Sequence, residues 1–183
     1  MKQASEEMEF ELAASLRDRI RALAQVKSNQ GINPRTVSEA DVISLHLDAG
    51  QACVQVFFIR ANQNWGNVDF YPRVSSDMSH DEVLEAFMGQ FYSTKDPARL
   101  IILSHDMENL NLMKGLLTEK LGRKVEIAVP QRGERFDLMV SALRNAKESL
   151  ARKLANTVSQ QKLLNGLAAA FSLAIPPKRI VFC

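Results

Sequence analysis

DVISLHLDAGQACVQVFFIR, residues 41–60, decides how the rest of the chain is read. DVISLHLDAG and ACVQVFFIR are rich in Val, Ile, Leu and Phe, and the turn Ala49-Gly50-Gln51 separates them, so they read as two paired strands. After a second turn over Ala61 to Asn64, WGNVDFYPR (65–73) supplies a third strand, and the three form an antiparallel meander. In SHDEVLEAFMGQFYS (79–93), Ser79 is an N-cap and Glu82 follows three residues on, a capping box ahead of an amphipathic helix. ARLIILSHD (98–106) is a continuous apolar run, the pattern of a central strand buried on both faces. NLNLMKGLLTEKLG (109–122) reads as a helix closed by Gly122, and RKVEIAVP (123–130) as another strand. This alternation implies parallel pairing through right-handed crossovers.

From Gly133 to about Leu173 the pattern is helical. Its stripe is Phe136, Met139, Val140, Leu143, Ala146, Leu150, Leu154 and Val158, with a break expected at Asn165-Gly166 and a stop at Pro176-Pro177. PPKRIVFC reads as the start of a strand in which the chain ends. The order βββαβαβα is that of a ribonuclease H-like α/β fold with a mixed sheet. Upstream, residues 1–27 read as a helix with Leu12, Leu16, Ile20 and Leu23 on one stripe; such a helix is marginal alone and needs something to pack on. Residues 28–38, SNQGINPRTVS, lack periodicity and read as a linker, which leaves 39–183 as the body.

A length of 183 residues suits one core with an appendage, and 46% apolar with 24% charged residues argues against wholesale disorder. No apolar run approaches the roughly 18 residues of a membrane span. The acidic start MKQASEEMEFEL lacks the apolar stretch of a signal peptide, so a cytoplasmic location is expected. Cys53 and Cys183 belong to no CxxC or Cys/His cluster, which argues against a disulfide framework and a structural zinc. The net charge of +2 conceals a division. Residues 1–119 carry 11 Lys and Arg against 17 Asp and Glu, a balance of −6; residues 120–183 carry 12 against 4, a balance of +8. Such an asymmetry favours a polyanionic partner for the basic end.

Two constellations carry chemistry. Asp48, Asp106 and Asp137 stand at element ends, with His46 and His105 nearby in sequence, and convergence of the acids on one edge would make a two-metal nuclease. The plainer account is that each acid caps a turn or a helix start, which leaves no catalytic or metal residues and no cofactor. There is no G-x-S-x-G elbow or phosphate loop, Cys53 fits a buried apolar position, and His80 begins a helix without needing a role. The basic set is Arg123, Lys124, Arg132 and Arg135 at the last strand–helix junction, joined by Lys178 and Arg179 after Pro177. Gly133 permits close approach of a phosphate, and a helix N-terminus follows, so contact with a DNA backbone is expected here. Arg144, Lys147, Arg152, Lys153 and Lys162 are expected to point to several sides of the helix and to be merely solvated.

The N-terminal string Ala4, Ser5, Glu9-Phe10-Glu11, Ala13-Ala14, Leu16-Arg17-Asp18, Ile20 and Leu23 closely resembles the UVR motif, M-x-x-A-x-x-x-x-F-E-x-A-A-x-x-R-D-x-I, shared by the UvrB and UvrC components of the bacterial UvrABC excinuclease. ACVQVFFIRANQNWG, Gln90-Phe91-Tyr92, LGRKVEI and VPQRGER resemble the central region of the UvrC family, in the same order along the chain. The resemblance implies a role in nucleotide excision repair. It implies a helix that docks on UvrB through Phe10, Glu11, Ala13, Ala14, Leu16, Arg17, Asp18 and Ile20, and a catalytically silent body that meets damaged DNA within the complex, with no membrane and no small-molecule substrate. The family's GIY-YIG nuclease, the D-x-S-H strand of its second nuclease and its helix-hairpin-helix modules have no counterpart in the sequence, so the chain reads as a window of a longer protein.

Overall fold

The computed structural model describes residues 33–75 and 77–171, with residues 173 and 175. The elements run β1 (Glu39–Asp48), β2 (Gln51–Arg60), β3 (Gln63–Phe70), α1 (His80–Thr94), β4 (Leu100–Leu103), α2 (Leu110–Leu121), β5 (Glu126–Ala128) and α3 (Glu134–Ala170). They build a five-stranded sheet of order β3-β2-β1-β4-β5. The β1–β2 and β2–β3 pairs are antiparallel, and β1–β4 and β4–β5 are parallel. The mixed sheet has the ribonuclease H-like form expected from the element order.

Both hairpins close through two residues in the left-handed region: Ala49 and Gly50 (φ 48° and 70°), then Ala61 and Asn62 (φ 51° and 60°). This is the type I′ geometry, whose twist matches that of the strands it joins. One sheet face carries Ile43, Leu45, Val54, Val56, Ile101 and Leu103 against α1 and α2. The other carries Ala40, Val42, Phe57, Ile59, Leu100 and Ile102 against Leu138, Met139 and Ala142 of α3. Each fully buried aliphatic side chain of these layers contributes roughly 1.5–3 kcal/mol. Helix ends are held as the sequence predicts. Glu82 accepts the Ser79 N–H at 2.9 Å, and Gly122 closes α2 at φ 66°. Lys120 then reaches from α2 to the carbonyls of Tyr92, Ser93 and Lys95, which closes the end of α1.

The course of α3 sets the geometry of everything that follows. Glu134, in its first turn, accepts the backbone N–H groups of Arg35 and Thr36 and the Thr36 hydroxyl, which fixes that turn at the amino end of β1. Those bonds, the Thr36 hydroxyl foremost, hold the Glu134 carboxyl below its ordinary pKa. Ala146 and Leu150 cover Cys53, which pairs with His46 toward the carboxyl end of β1. The helix therefore travels the length of β1 and continues beyond it, and residues 155–163 are all exposed.

Several expectations change. Residues 33–38, the last part of the expected linker, are bound to the body. Asn33 accepts the Asn64 N–H, Ser38 accepts the Asn62 N–H, and Val37 is buried. The break expected at Asn165-Gly166 does not occur, because Gly166 keeps a helical backbone and Gln161 donates to Asn165 across one turn at 3.2 Å. The strands β4 and β5 have four and three residues, shorter than the apolar runs that announce them. The expected helix 1–27 and the expected strand after Pro177 lie outside the described residues.

Candidate nucleic-acid interface

Arg123 and Lys124 precede β5, while Arg132 and Arg135 follow it around Gly133, whose φ of 77° turns the chain into α3. Acids are interleaved with them. Arg135 Nη1 lies 2.5 Å from Glu126 Oε1, and Arg123 Nη2 lies 4.0 Å from Glu39 Oε1. Glu134 and Asp137 occupy the first turn of α3 and already complement its dipole. Lys124 and Arg132 are exposed and make no ion pair among the described residues. Two of the four cations thus face carboxylates, and the local field is weaker than a count of cations implies. Exposed pairs of this kind contribute little stability, about 0–1 kcal/mol each. Lys178 and Arg179 lie outside the described residues.

The acids of the nuclease alternative are not brought together. Asp48 ends β1 and Asp106 follows β4, so both stand at the carboxyl end of these parallel strands. Asp137, in the first turn of α3, comes two residues before Met139, whose carbonyl accepts the Ser44 hydroxyl midway along β1, and Asp48 stands four residues further along the strand, about 13 Å at 3.3 Å per residue. Asp106 Oδ1 accepts the Met107 N–H at 2.9 Å, a local cap. Among the described residues, no group of three or more His, Cys, Asp or Glu is placed to hold a metal ion.

The same carboxyl end gathers the chain's three histidines, from β1, the start of α1 and the loop after β4. His80, at the start of α1, stacks on His105 with ring centroids 4.4 Å apart. His105 Nδ1 lies 2.8 Å from Ser104 Oγ, which accepts the Leu45 N–H at 3.0 Å. Burial first, then the proximity of His80 and His46, lowers the pKa of His105. Sequence reading leaves His80 without a task, and only the antiparallel course of α1 against β4 brings its first residue over His105.

One polar centre escapes the sequence entirely. Asp41, buried in β1, accepts from Arg60 Nη2 at 2.8 Å, from the Tyr92 hydroxyl at 3.0 Å and from the Ala98 N–H at 3.1 Å. Burial, then the Asp41 charge, pushes the Tyr92 hydroxyl well above its ordinary pKa. An acid opening an apolar strand is the only signal that marks it. Where α3 leaves the sheet, a cleft of about 460 Å³ opens between Asp69 and Tyr71 of the β3 end and Arg152, Lys153 and Asn156 of the helix. Lys153 Nζ sits 3.7 Å from the Tyr71 ring centroid. Beneath it the Cys53 thiol is pushed up to about 11, first by burial, which keeps it protonated and unreactive at neutral pH.

Comparison with known proteins adds two kinds of match. Residues 39–153 match the model of the UvrC ribonuclease H-like domain, and residues 1–26 match the UvrB/uvrC motif. Similar curated proteins are the UvrABC system protein C of Ruegeria sp. (strain TM1040), 66% identical over 180 residues, and that of Ruegeria pomeroyi, 65% identical over 180 residues. The corresponding protein of Rhodopseudomonas palustris (strain BisB5) is 52% identical over the same length. Each match covers 98% of this chain but only 26–29% of the relative, so the chain spans between a quarter and a third of the length of the proteins it resembles.

Proposed function

The chain belongs to the family of UvrC ribonuclease H-like domains, and from that premise we propose that it serves nucleotide excision repair as a non-catalytic scaffold, joined to the UvrB component of the UvrABC system by its N-terminal helix. The observation that carries this reading is the adjacency of two matches, a UvrB/uvrC motif over residues 1–26 and the ribonuclease H-like body over 39–153. The helix 1–27 is the partner-binding unit, residues 28–32 lead into the docked segment, and the body from Glu39 is the spacer. A helix of UvrB buries Phe10, Ala13, Ala14, Leu16 and Ile20, with Glu11, Arg17 and Asp18 at the rim setting register. Small alanines permit close approach of the two axes, and Phe10 supplies the largest apolar area.

The separation of Asp48 and Asp106 from Asp137 supports a scaffold over a nuclease, since two-metal cleavage needs its carboxylates around ions about 3.5–4 Å apart. Within the complex the body lies against damaged DNA, with Lys124 and Arg132 the cations of the loop cluster best able to reach phosphates, beside Arg123, Arg135, Lys178 and Arg179. The test is calorimetric titration of the C-terminal segment of UvrB into the full chain. Phe10→Ala is expected to weaken binding about 10–100-fold, the loss of one buried aromatic anchor. Affinity unchanged by the substitution contradicts the assignment.

A further inference from the structure

Cations along α3 that sequence reading assigns to several sides of the helix fall, for the most part, on one side. Arg144 and Lys162 are separated by five turns at 3.6 residues per turn, so they stand on one line about 27 Å apart. Lys147 lies beside that line, and the small Ala151 and Ala155 occupy it between the cations. The line faces away from the sheet, because Leu138, Ala142, Ala146 and Leu150 are the buried residues of the opposite face. Arg144, Lys147, Ala151, Ala155 and Lys162 are all exposed. None of the three cations makes an ion pair among the described residues. Arg152 adds to the stripe's edge, and its pair with Glu148, 4.0 Å long with both side chains more than half exposed, holds it weakly. Lys153 does not belong to it, being drawn over Tyr71. Beyond Glu148 the sequence holds no Asp or Glu to its last residue.

We infer that this outward face of α3, through Arg144, Lys147 and Lys162, lies against the phosphate backbone of duplex DNA. The charge is complementary: the one acid between Arg144 and Lys162 is Glu148, about 40° from the line and paired with Arg152, whereas at the loop cluster by β5 carboxylates answer half the cations. The alanines leave the helix surface low between the cations, so the rod approaches a backbone closely. At about 3.4 Å per base pair, 27 Å covers about eight pairs, enough for the end cations to reach separate phosphates. The contact carries no base readout, since Lys and Arg on phosphates position a protein without reading sequence. The inference rests on the reading that the body works against DNA, and it names a different surface from the loop cluster.

The experiment is fluorescence anisotropy of a 30-base-pair mixed-sequence duplex with the full chain across a salt series. Four proteins are compared: the parent, the triple variant Arg144→Ala/Lys147→Ala/Lys162→Ala, a variant of the same positions that keeps every charge, and a loop variant Lys124→Ala/Arg132→Ala. Each phosphate contact contributes about 0.9 to the slope of log affinity against log salt, so the triple variant is expected to lose about 2.7 of that slope. Arg144→Lys/Lys147→Arg/Lys162→Arg, which keeps every charge, retains the parent slope. All three positions are exposed, and an unchanged circular dichroism spectrum separates lost contact from lost fold. A triple variant with the parent slope beside a weakened loop variant overturns this inference and leaves the scaffold reading intact. A parent chain that does not bind the duplex overturns both.

Discussion

At the amino end of β1, Asp41 is buried and both its oxygens are committed to Arg60, Tyr92 and Ala98. At the carboxyl end Asp48 is exposed beside a two-residue turn, Asp106 caps its own loop, and the neighbourhood belongs to stacked histidines. The acid with the strongest environment therefore ties α1 and the loop before β4 to the sheet, and the acids with freedom to bind something lack a third partner. In a ribonuclease H-like sheet, where ligands are expected beyond the carboxyl ends of the parallel strands, this distribution suits a structural module. Secure placement of elements and equipment for chemistry are separate properties of the same fold.

The largest expected effect lies at the buried end. Asp41→Ala strips Arg60 of its partner and leaves the Tyr92 hydroxyl and Ala98 N–H unsatisfied, so it should cost about 3–5 kcal/mol in urea denaturation. Asp48→Asn and Asp106→Asn, made at the open end, should stay within about 0.5 kcal/mol of the parent. A cost of less than about 1 kcal/mol for Asp41→Ala, or a large loss at Asp48, breaks the contrast between the two ends.

A smaller effect comes from the histidines. His105 has a depressed pKa in the folded state, so the unfolded chain binds a proton more readily. Its contribution is therefore fully present above the unfolded value of about 6.5 and is lost as pH falls through that value toward the lower folded pKa. Denaturation midpoints followed from pH 7.5 to 5 should decline, and His105→Asn should flatten the part of the decline that belongs to this group. An identical pH profile in the variant removes His105 from the account.

Elements were legible where local chemistry specified them. The capping box at Ser79 and Glu82, the glycine at 122 and the apolar run LIIL each announced a boundary or a buried strand on the residues alone. Asn165-Gly166 misled because a break also requires backbone in the left-handed region, and nothing downstream forces Gly166 into it. The candidate site was legible in composition but not in geometry. The basic residues around β5 are consecutive enough to be seen, whereas Glu39, which answers Arg123, comes from a strand more than eighty positions earlier. The convergence of His46, His80 and His105 depends on the antiparallel return of α1, which no local pattern encodes. The outward stripe of α3 was hidden by spacing, since Arg144 and Lys162 become neighbours in azimuth only after five uninterrupted turns.

Central to the proposed role is that this ribonuclease H-like body holds and spaces without cutting. The direct measurement incubates the purified full chain with supercoiled plasmid in Mg²⁺ and in Mn²⁺ and follows conversion to the nicked form. No metal-dependent conversion above that of a buffer control is the expected result, and Asp48→Asn and Asp106→Asn should be indistinguishable from the parent. Nicking that requires the metal and disappears in Asp48→Asn or Asp106→Asn contradicts it.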